Sequence, residues 1–272
     1  MLWHFGCSQG YVLFSNMAND DNLLTSIAIY WDEHIHDLAM TTAPVGTPEF
    51  FRQLDEYRYE KLNYLPRLVK FTAYKGKSVL EVGCGAGIDL ARFARAGAKV
   101  TGIDLSNTAI DLASKNFEQS VQNADLRVMN GECMQFADNT FDVVYAHGVL
   151  QYTADAVKMI AEIYRVLKPD GEAILMVYNR HSWLNLMRTV TNVPLEHEDA
   201  PVLKKFSVSE LKQLLHAFQN YRIIPERFPV KTRLHSGWKA RLFNTVFVGA
   251  FNLMPRSLIR PFGWHLMAFA VK

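Results

Sequence analysis

Cysteine is scarce and scattered in this chain. It has three, Cys7, Cys84 and Cys133, with no CxxC and no Cys/His spacing of the zinc type. That argues against a disulfide framework and a structural zinc site, and it fits a reducing, cytoplasmic setting. A charge excess is also missing: 29 basic residues against 27 acidic ones leave +2, which supplies no electrostatic footprint for nucleic acid. Long apolar runs are absent too. The opening stretch MLWHFGCSQGYVLF has no Lys or Arg before its apolar residues, is broken by His4 and by Ser8-Gln9-Gly10, and is followed by no small-residue cleavage pattern. It reads as neither a signal nor an anchor, and residues 1–16 read as an upstream-start extension or a disordered arm ahead of Met17. Leu242 to Met254 is too short to cross a bilayer and carries Asn244 and Asn252, so no transmembrane segment is expected. Its apolarity suits a pocket cover or a peripheral membrane contact.

What the chain does have is enough apolar material for a substantial core. At 272 residues and 49% hydrophobic, it is expected to form one domain over 17–272, with a helical cap at 20–75, a core at 78–180 and lid segments at 181–206 and 231–261. The core alternates strand and helix. Val79, Leu80 and Val82 read as a buried parallel strand, followed by a helix near Asp89 to Ala96 that Gly97 stops, and then by the strand Lys99 to Leu105. A helix over Ala109 to Phe117, strands at Leu126 to Met129 and Phe141 to Ala146, a helix stopped at Leu167-Lys168-Pro169-Asp170-Gly171, and a strand from Glu172 to Tyr178 continue the pattern. Ser207 and Glu210 have capping-box spacing for a helix through Phe218, and Tyr221 to Val230 and Gly263 to Val271 read as the last two strands.

The chemistry is concentrated in SVLEVGCGAGIDL, residues 78–90. Gly83, Gly85 and Gly87 follow the first strand where backbone must turn tightly and approach a ligand. A dinucleotide loop spaces its glycines G-x-G-x-x-G/A, and Ile88 spoils that fit. Asp104, at the carboxyl end of the second strand, can accept hydrogen bonds from both hydroxyls of a ribose.

Glu81, two residues ahead of the glycines, gives the pattern E-x-G-x-G-x-G. Together with Asp104, F-D-V-V and L-K-P-D-G in that order, it resembles the class I S-adenosylmethionine (SAM) dependent methyltransferases, in particular their small-molecule, quinone-biosynthesis-like branch. The resemblance covers about Ser78 to Tyr178. It implies a Rossmann-like, doubly wound α/β sheet of seven strands in order 3-2-1-4-5-7-6 with the last strand antiparallel. It also implies SAM as cofactor, S-adenosyl-L-homocysteine (SAH) as product, and in-line displacement of the methyl group. Cofactor contacts carried over by position are Glu81, Gly83, Cys84, Gly85, Gly87, Asp104, Leu105 and His147, with Glu132 and Cys133 bracketing the adenine.

Methyl transfer from a sulfonium asks the protein for orientation, which can supply roughly 7 to 11 kcal/mol, more than the about 3 to 5 kcal/mol of a general base. A dedicated base is therefore optional. His147, leaving the fourth strand at the switch point, is the first candidate, with Tyr152 beside it. Tyr57, Tyr59, Tyr178 and His181 are candidate acceptor contacts, and the abundant aromatics favour a small hydrophobic or aromatic acceptor. A nucleic-acid methyltransferase would carry an N/D-P-P-Y type loop where this chain has Ala146-His147-Gly148-Val149. An NAD-linked oxidoreductase and a SAM-binding protein without turnover stay open at this point.

Overall fold

A computed structural model describes residues 17–191, 197–231, 237–238, 241 and 243–272. The extension expected at 1–16 lies outside the described residues, as does Leu242 of the second lid segment.

Apolar alternation builds the centre of the fold. In β1 (Ser78–Val82), Leu80 and Val82 face one side of the sheet and Val79 the other. In β4 (Phe141–His147), Val144 and Ala146 join the first side, and Val143 and Tyr145 the second. Both faces are therefore covered, as a largely parallel sheet requires. Between β1 and β2 (Lys99–Asp104) runs α4 (Ile88–Arg95), preceded by α1 (Met17–Glu33), α2 (Pro48–Lys61) and the single turn α3 (Leu65–Leu68). Then follow α5 (Asn107–Gln119), β3 (Asp125–Val128), β4, α6 (Ala156–Val166), β5 (Leu167–Tyr178), α7 (Trp183–Thr191), α8 (Val208–Leu214), β6 (Asn220–Glu226) and β7 (His265–Val271).

The sheet has seven strands in the order β3-β2-β1-β4-β5-β7-β6, with β7 antiparallel to both neighbours, as the sequence reading expects. The Ser207 capping box is present, with Ser207 Oγ accepting from the Glu210 amide and the Glu210 carboxylate accepting from the Ser207 amide. Its helix stops at Leu214, short of Phe218. The L-K-P-D-G stretch does end α6, and it also begins β5, because Leu167 pairs with Phe141 before an irregularity realigns the strands at Val143. Among the described residues no helix is long and apolar enough to cross a membrane.

The 20–75 region is helical, and α1 and α2 lie across the carboxyl edge of the sheet. Arg58 of α2 binds Asp89 of α4, and Asp32 of α1 accepts hydrogen bonds from Ser106 Oγ and the Thr108 amide at the start of α5. The second lid segment behaves differently. Phe247 and Phe251 lie tilted against Trp183, and Phe251 against Phe228, outside the lining of the carboxyl-edge cavity. None of the described residues of 231–261 lines that cavity, whereas residues of α1 and α2 do.

Candidate active site

The glycine loop is held open from below. The Gly83 and Cys84 amides both donate to the Ile103 carbonyl, at 2.7 and 3.0 Å, and the Gly85 amide donates to Asp104 Oδ2 at 2.9 Å. Gly83 has φ 67° and its missing Cβ would lie 2.4 Å from Val149 Cγ2, so this position is closed by packing. Gly85 has φ 53°, yet a Cβ there would meet nothing within 4 Å. Its bare backbone faces cavity, which is the situation in which glycine admits a ligand. Gly87 ends the loop at φ 72° against Ala113 and Phe117. It caps α4 and does not line the cavity, so the cofactor contact expected of it is replaced by a structural one.

Three carboxylates stand around this loop. Asp104 accepts from the Gly85 and Ser106 amides; burial raises its pKa, and these backbone donors hold it partly down. Asp89 is buried, and burial alone would favour its neutral form. The Arg58 guanidinium outweighs that with bonds of 2.7 and 2.5 Å, and Tyr59 and Tyr145 add hydroxyl donors, so the carboxyl sits well below the usual range. Glu81 is compensated only in part, by the Arg58 charge and the Leu90 amide. Burial and the neighbouring Asp89 push its pKa far up, and its Oε2 is buried without a hydrogen-bond partner. An orphaned carboxylate oxygen beside an open glycine backbone fits an ammonium group.

These groups belong to one cavity, lined at this end by Glu81, Gly83, Cys84, Gly85, Asp104, Leu105 and Glu132. Glu132 Oε1 accepts from the Asp155 amide at 3.0 Å and from Thr153 Oγ1. Cys133 does not line the cavity, and its amide donates to the Asn130 carbonyl at 3.1 Å, closing the turn that the sequence reading aims at the adenine. Cys84 is a buried free thiol.

The other end of the cavity is built by α1, α2 and the ends of β4, β5 and β7. Leu54, Arg58 and Lys61, four and three residues apart, place one face of α2 on it. Neither Tyr57 nor Tyr59 lines the cavity. Tyr57 carries Lys61 over its ring, and Tyr59 lies under Arg92 and donates to Asp89, in the joint between cap and core. His181 is exposed, its amide bound by Asn179 Oδ1, and it too lies off the cavity. Tyr152 and Tyr178 do line it and approach each other at 3.3 Å through their hydroxyls. Trp31 packs edge-on against Tyr152 as part of the roof.

His147 is where the sequence reading puts it, at the mouth of β4, in a chain running Arg58, His147, Tyr64, His265, Arg227. The contacts are Arg58 Nη2 to His147 Nδ1 at 3.2 Å, His147 Nε2 to Tyr64 Oη at 3.2 Å, Tyr64 Oη to His265 Nδ1 at 2.5 Å, and Arg227 Nη1 to His265 Nε2 at 2.9 Å. Arginine only donates, so His147 Nδ1 and His265 Nε2 must be acceptors, and the other nitrogen of each neutral ring carries its proton toward Tyr64. Burial first, then Arg58 for His147 and Arg227 for His265, drive both imidazole pKa values well below the ordinary range. With its basic nitrogen facing Arg58, His147 is arranged to orient a partner more than to receive a proton.

Sequence reasoning missed Arg58, Asp89, Arg227 and His265 as site residues. A polar residue opening the apolar run of β7 was a visible signal for His265. Arg227 offered none.

Residues 80–175 match the methyltransferase domain family. Over 121 residues the chain is 31% identical to a ubiquinone biosynthesis O-methyltransferase of Coxiella burnetii, covering 44% of this chain and 50% of the relative. A protein of the same description from Actinobacillus pleuropneumoniae is 35% identical over 127 residues, 44% and 53% of the two chains. The chain thus matches about half the length of these relatives. Among solved structures, a SAM-dependent methyltransferase from Aquifex aeolicus superposes with a TM-score of 0.54 at 17% identity, over 83% of this chain and 98% of that one. The geranyl diphosphate C-methyltransferase of Streptomyces coelicolor A3(2) superposes with a TM-score of 0.57 at 16% identity, over 92% and 97%. Glycine loop, Glu81, Asp104 and strand order agree with these likenesses: residues 80–175 match a methyltransferase domain, and the fold is the one seen in SAM-dependent methyltransferase structures.

Proposed function

We propose that the chain transfers a methyl group from SAM to a small, hydrophobic or aromatic acceptor. The observation that carries this reading is the pairing of Glu81 Oε2, buried and unpartnered, with the open backbone of Gly85. Glu81 would hold the amino group of the cofactor's amino-acid end, Gly85 would let the chain lie close, and Asp104 would bind the ribose hydroxyls. Glu132 and Leu105 line the adenine side.

When bound, SAM supplies a methyl group already activated on a sulfonium. The protein's task is to align a nucleophile and keep water out, the orientation effect that dominates such reactions. Trp31, Tyr152 and Tyr178 form the apolar walls that position the acceptor, and His147, held on both nitrogens by Arg58 and Tyr64, fixes the shape of the site beside them. The likeness to ubiquinone O-methyltransferases supports a small acceptor. A cytoplasmic setting is part of the same proposal. Titration calorimetry tests the cofactor half: SAM and SAH are expected to bind with comparable, micromolar-scale affinity and NAD to give no heat. Transfer of label from methyl-labelled SAM to a panel of phenols, thiols and quinols tests the other half. NAD binding without SAM binding would overturn the reading.

A further inference from the structure

The charges lining the cavity are unevenly compensated. Arg58 is neutralised by Asp89 and Lys61 by Asp37, at 2.5 and 2.6 Å. Arg227 also lines the cavity, and among the described residues its guanidinium has one hydrogen-bond partner, the neutral ring of His265. It makes no ion pair among the described residues; the adjacent carboxylate, Glu226, is directed to Arg67 at 3.5 Å. A half-buried arginine whose partner is an imidazole retains its whole charge for a ligand.

The backbone is shaped to present it. Arg227 has φ 58°, in the left-handed region that non-glycine residues seldom adopt. Two hydrogen bonds to its carbonyl fix it there, from Trp183 Nε1 at 3.0 Å and from the Trp264 amide at 3.2 Å. The aromatic cluster of Trp183, Phe247 and Phe251 stands behind that clamp. Its position in the sheet separates Arg227 from the cofactor end. It follows β6, four strand spacings from β1, roughly 19 Å at 4.8 Å per spacing, and its guanidinium reaches back over β7 to His265. The cation that acts on Glu81 is Arg58.

We propose that Arg227, held by His265, is the anion subsite of the acceptor pocket, and that the acceptor is a carboxylate-bearing molecule with an apolar or aromatic body. This rests on the methyltransferase reading and narrows it. The acidic end of the cavity, Glu81 and Asp104, takes the cofactor. The cationic end fixes the acceptor by a group remote from the one methylated, and Trp31, Tyr152 and Tyr178 enclose the body between them.

The test is calorimetry on the full chain saturated with SAH, using three probes of matched body: 4-hydroxyphenylacetate, 4-ethylphenol and 4-hydroxybenzylphosphonate. The carboxylate is expected to bind about tenfold or more tighter than the neutral phenol, as befits a hydrogen bond to a charged group. That preference should disappear in Arg227→Met and Arg227→Gln and survive in part in Arg227→Lys, with SAH affinity within about threefold of the unchanged protein. Thermal melting confirms that each variant is folded. Equal binding of charged and neutral probes, or a preference that outlives Arg227→Met, would overturn the subsite. Tighter binding of the phosphonate would overturn the carboxylate assignment. A tenfold or greater loss of SAH affinity in Arg227→Met would place the guanidinium on the cofactor's own carboxylate and overturn the proposal. Absence of SAH binding in the unchanged protein is a separate failure, of the methyltransferase reading, and the probe preference can still be read on the ligand-free chain.

Discussion

Arg58 Nε and Nη2 grip the two carboxylate oxygens of Asp89, at 2.7 and 2.5 Å, and so bolt the cap to the first turn of the helix behind the glycine loop. Asp89 is almost wholly buried and Arg58 is 17% exposed. Removing one partner of such a pair leaves the other charge stranded, at a cost of about 3 to 5 kcal/mol. Arg58→Met is therefore expected to lower the unfolding free energy by that amount, read as a fall in the denaturant midpoint. Asp89→Asn should do the same, whereas changing Arg52, an exposed cap arginine paired with Glu49 and Glu56, should leave the midpoint almost unchanged. Equal effects at the two arginines would show that the Asp89 contact does not join cap to core.

Two glycines of one loop should respond differently to the same change. Gly83→Ala drives a methyl group into Val149, so both stability and SAH affinity should fall, and Val149→Ala in the same chain should restore part of each. Gly85→Ala meets no protein atom; its left-handed φ should cost about 1 kcal/mol of stability. SAH affinity should nevertheless fall tenfold or more, as the new methyl group occupies ligand space. Chemical denaturation and calorimetry on the three variants separate the effects.

Asp104 carries a double load, fixing the Gly85 and Ser106 amides and facing the cavity. Asp104→Ala is expected to weaken SAH binding by about 1.5 to 3 kcal/mol, the range for a hydrogen bond to a charged group. Calorimetry that found SAH affinity unchanged would remove Asp104 from the cofactor site.

The stretch from β1 to β2 was legible because everything that specifies it is local: an apolar run, three glycines, and an acid at each strand's end. The wider topology followed from the alternation of strand and helix together with the family likeness. The acceptor end was much less legible. Tyr64 and His265 meet across 201 positions of sequence, and His147 and Arg58 across 89. Neither pairing leaves a trace in spacing. Adjacent residues of a helix point about 100° apart, so the aromatic, acceptor-like look of Tyr57 and Tyr59 drew notice away from Arg58, the residue that faces the cavity. His181 misled for a similar reason, since it follows the right strand but its loop turns it to solvent.

His265 makes stability depend on pH. It is buried among Tyr64, Arg227 and His147, and burial first, then the Arg227 charge, keep it neutral in the folded chain. Unfolded, it protonates near pH 6.5. A base whose folded pKa is depressed contributes stability that is complete above the unfolded pKa and is lost as pH falls below it. The slope should approach about 1.4 kcal/mol per pH unit for this one group between pH 6 and 5. Unfolding curves of Arg227→Met, which removes the neighbouring charge, should show a shallower slope. An unchanged slope would mean that the arginine charge contributes little to the depression.

The roof gives the last test. Trp31 covers the cavity against Tyr152, and the next residue, Asp32, ties α1 to the opening turn of α5 through Ser106 Oγ at 2.7 Å and the Thr108 amide at 3.1 Å. Ser106 lies two residues after Asp104, the end of β2, and also donates its amide to that carboxylate, so the roof and the proposed ribose site share one residue. Cutting the tether with Asp32→Ala removes the acceptor for two donors while leaving Asp104 in place. The bonds should be worth about 1.5 to 3 kcal/mol together, which would appear as roughly ten- to a hundredfold faster SAH release with association little changed. Hydrogen exchange in α1 should rise with no matching change in β1 or β4. Unchanged SAH release with loosened α1 would mean that the cap covers the acceptor alone and that the cofactor is held from below, by Asp104 and the glycine loop.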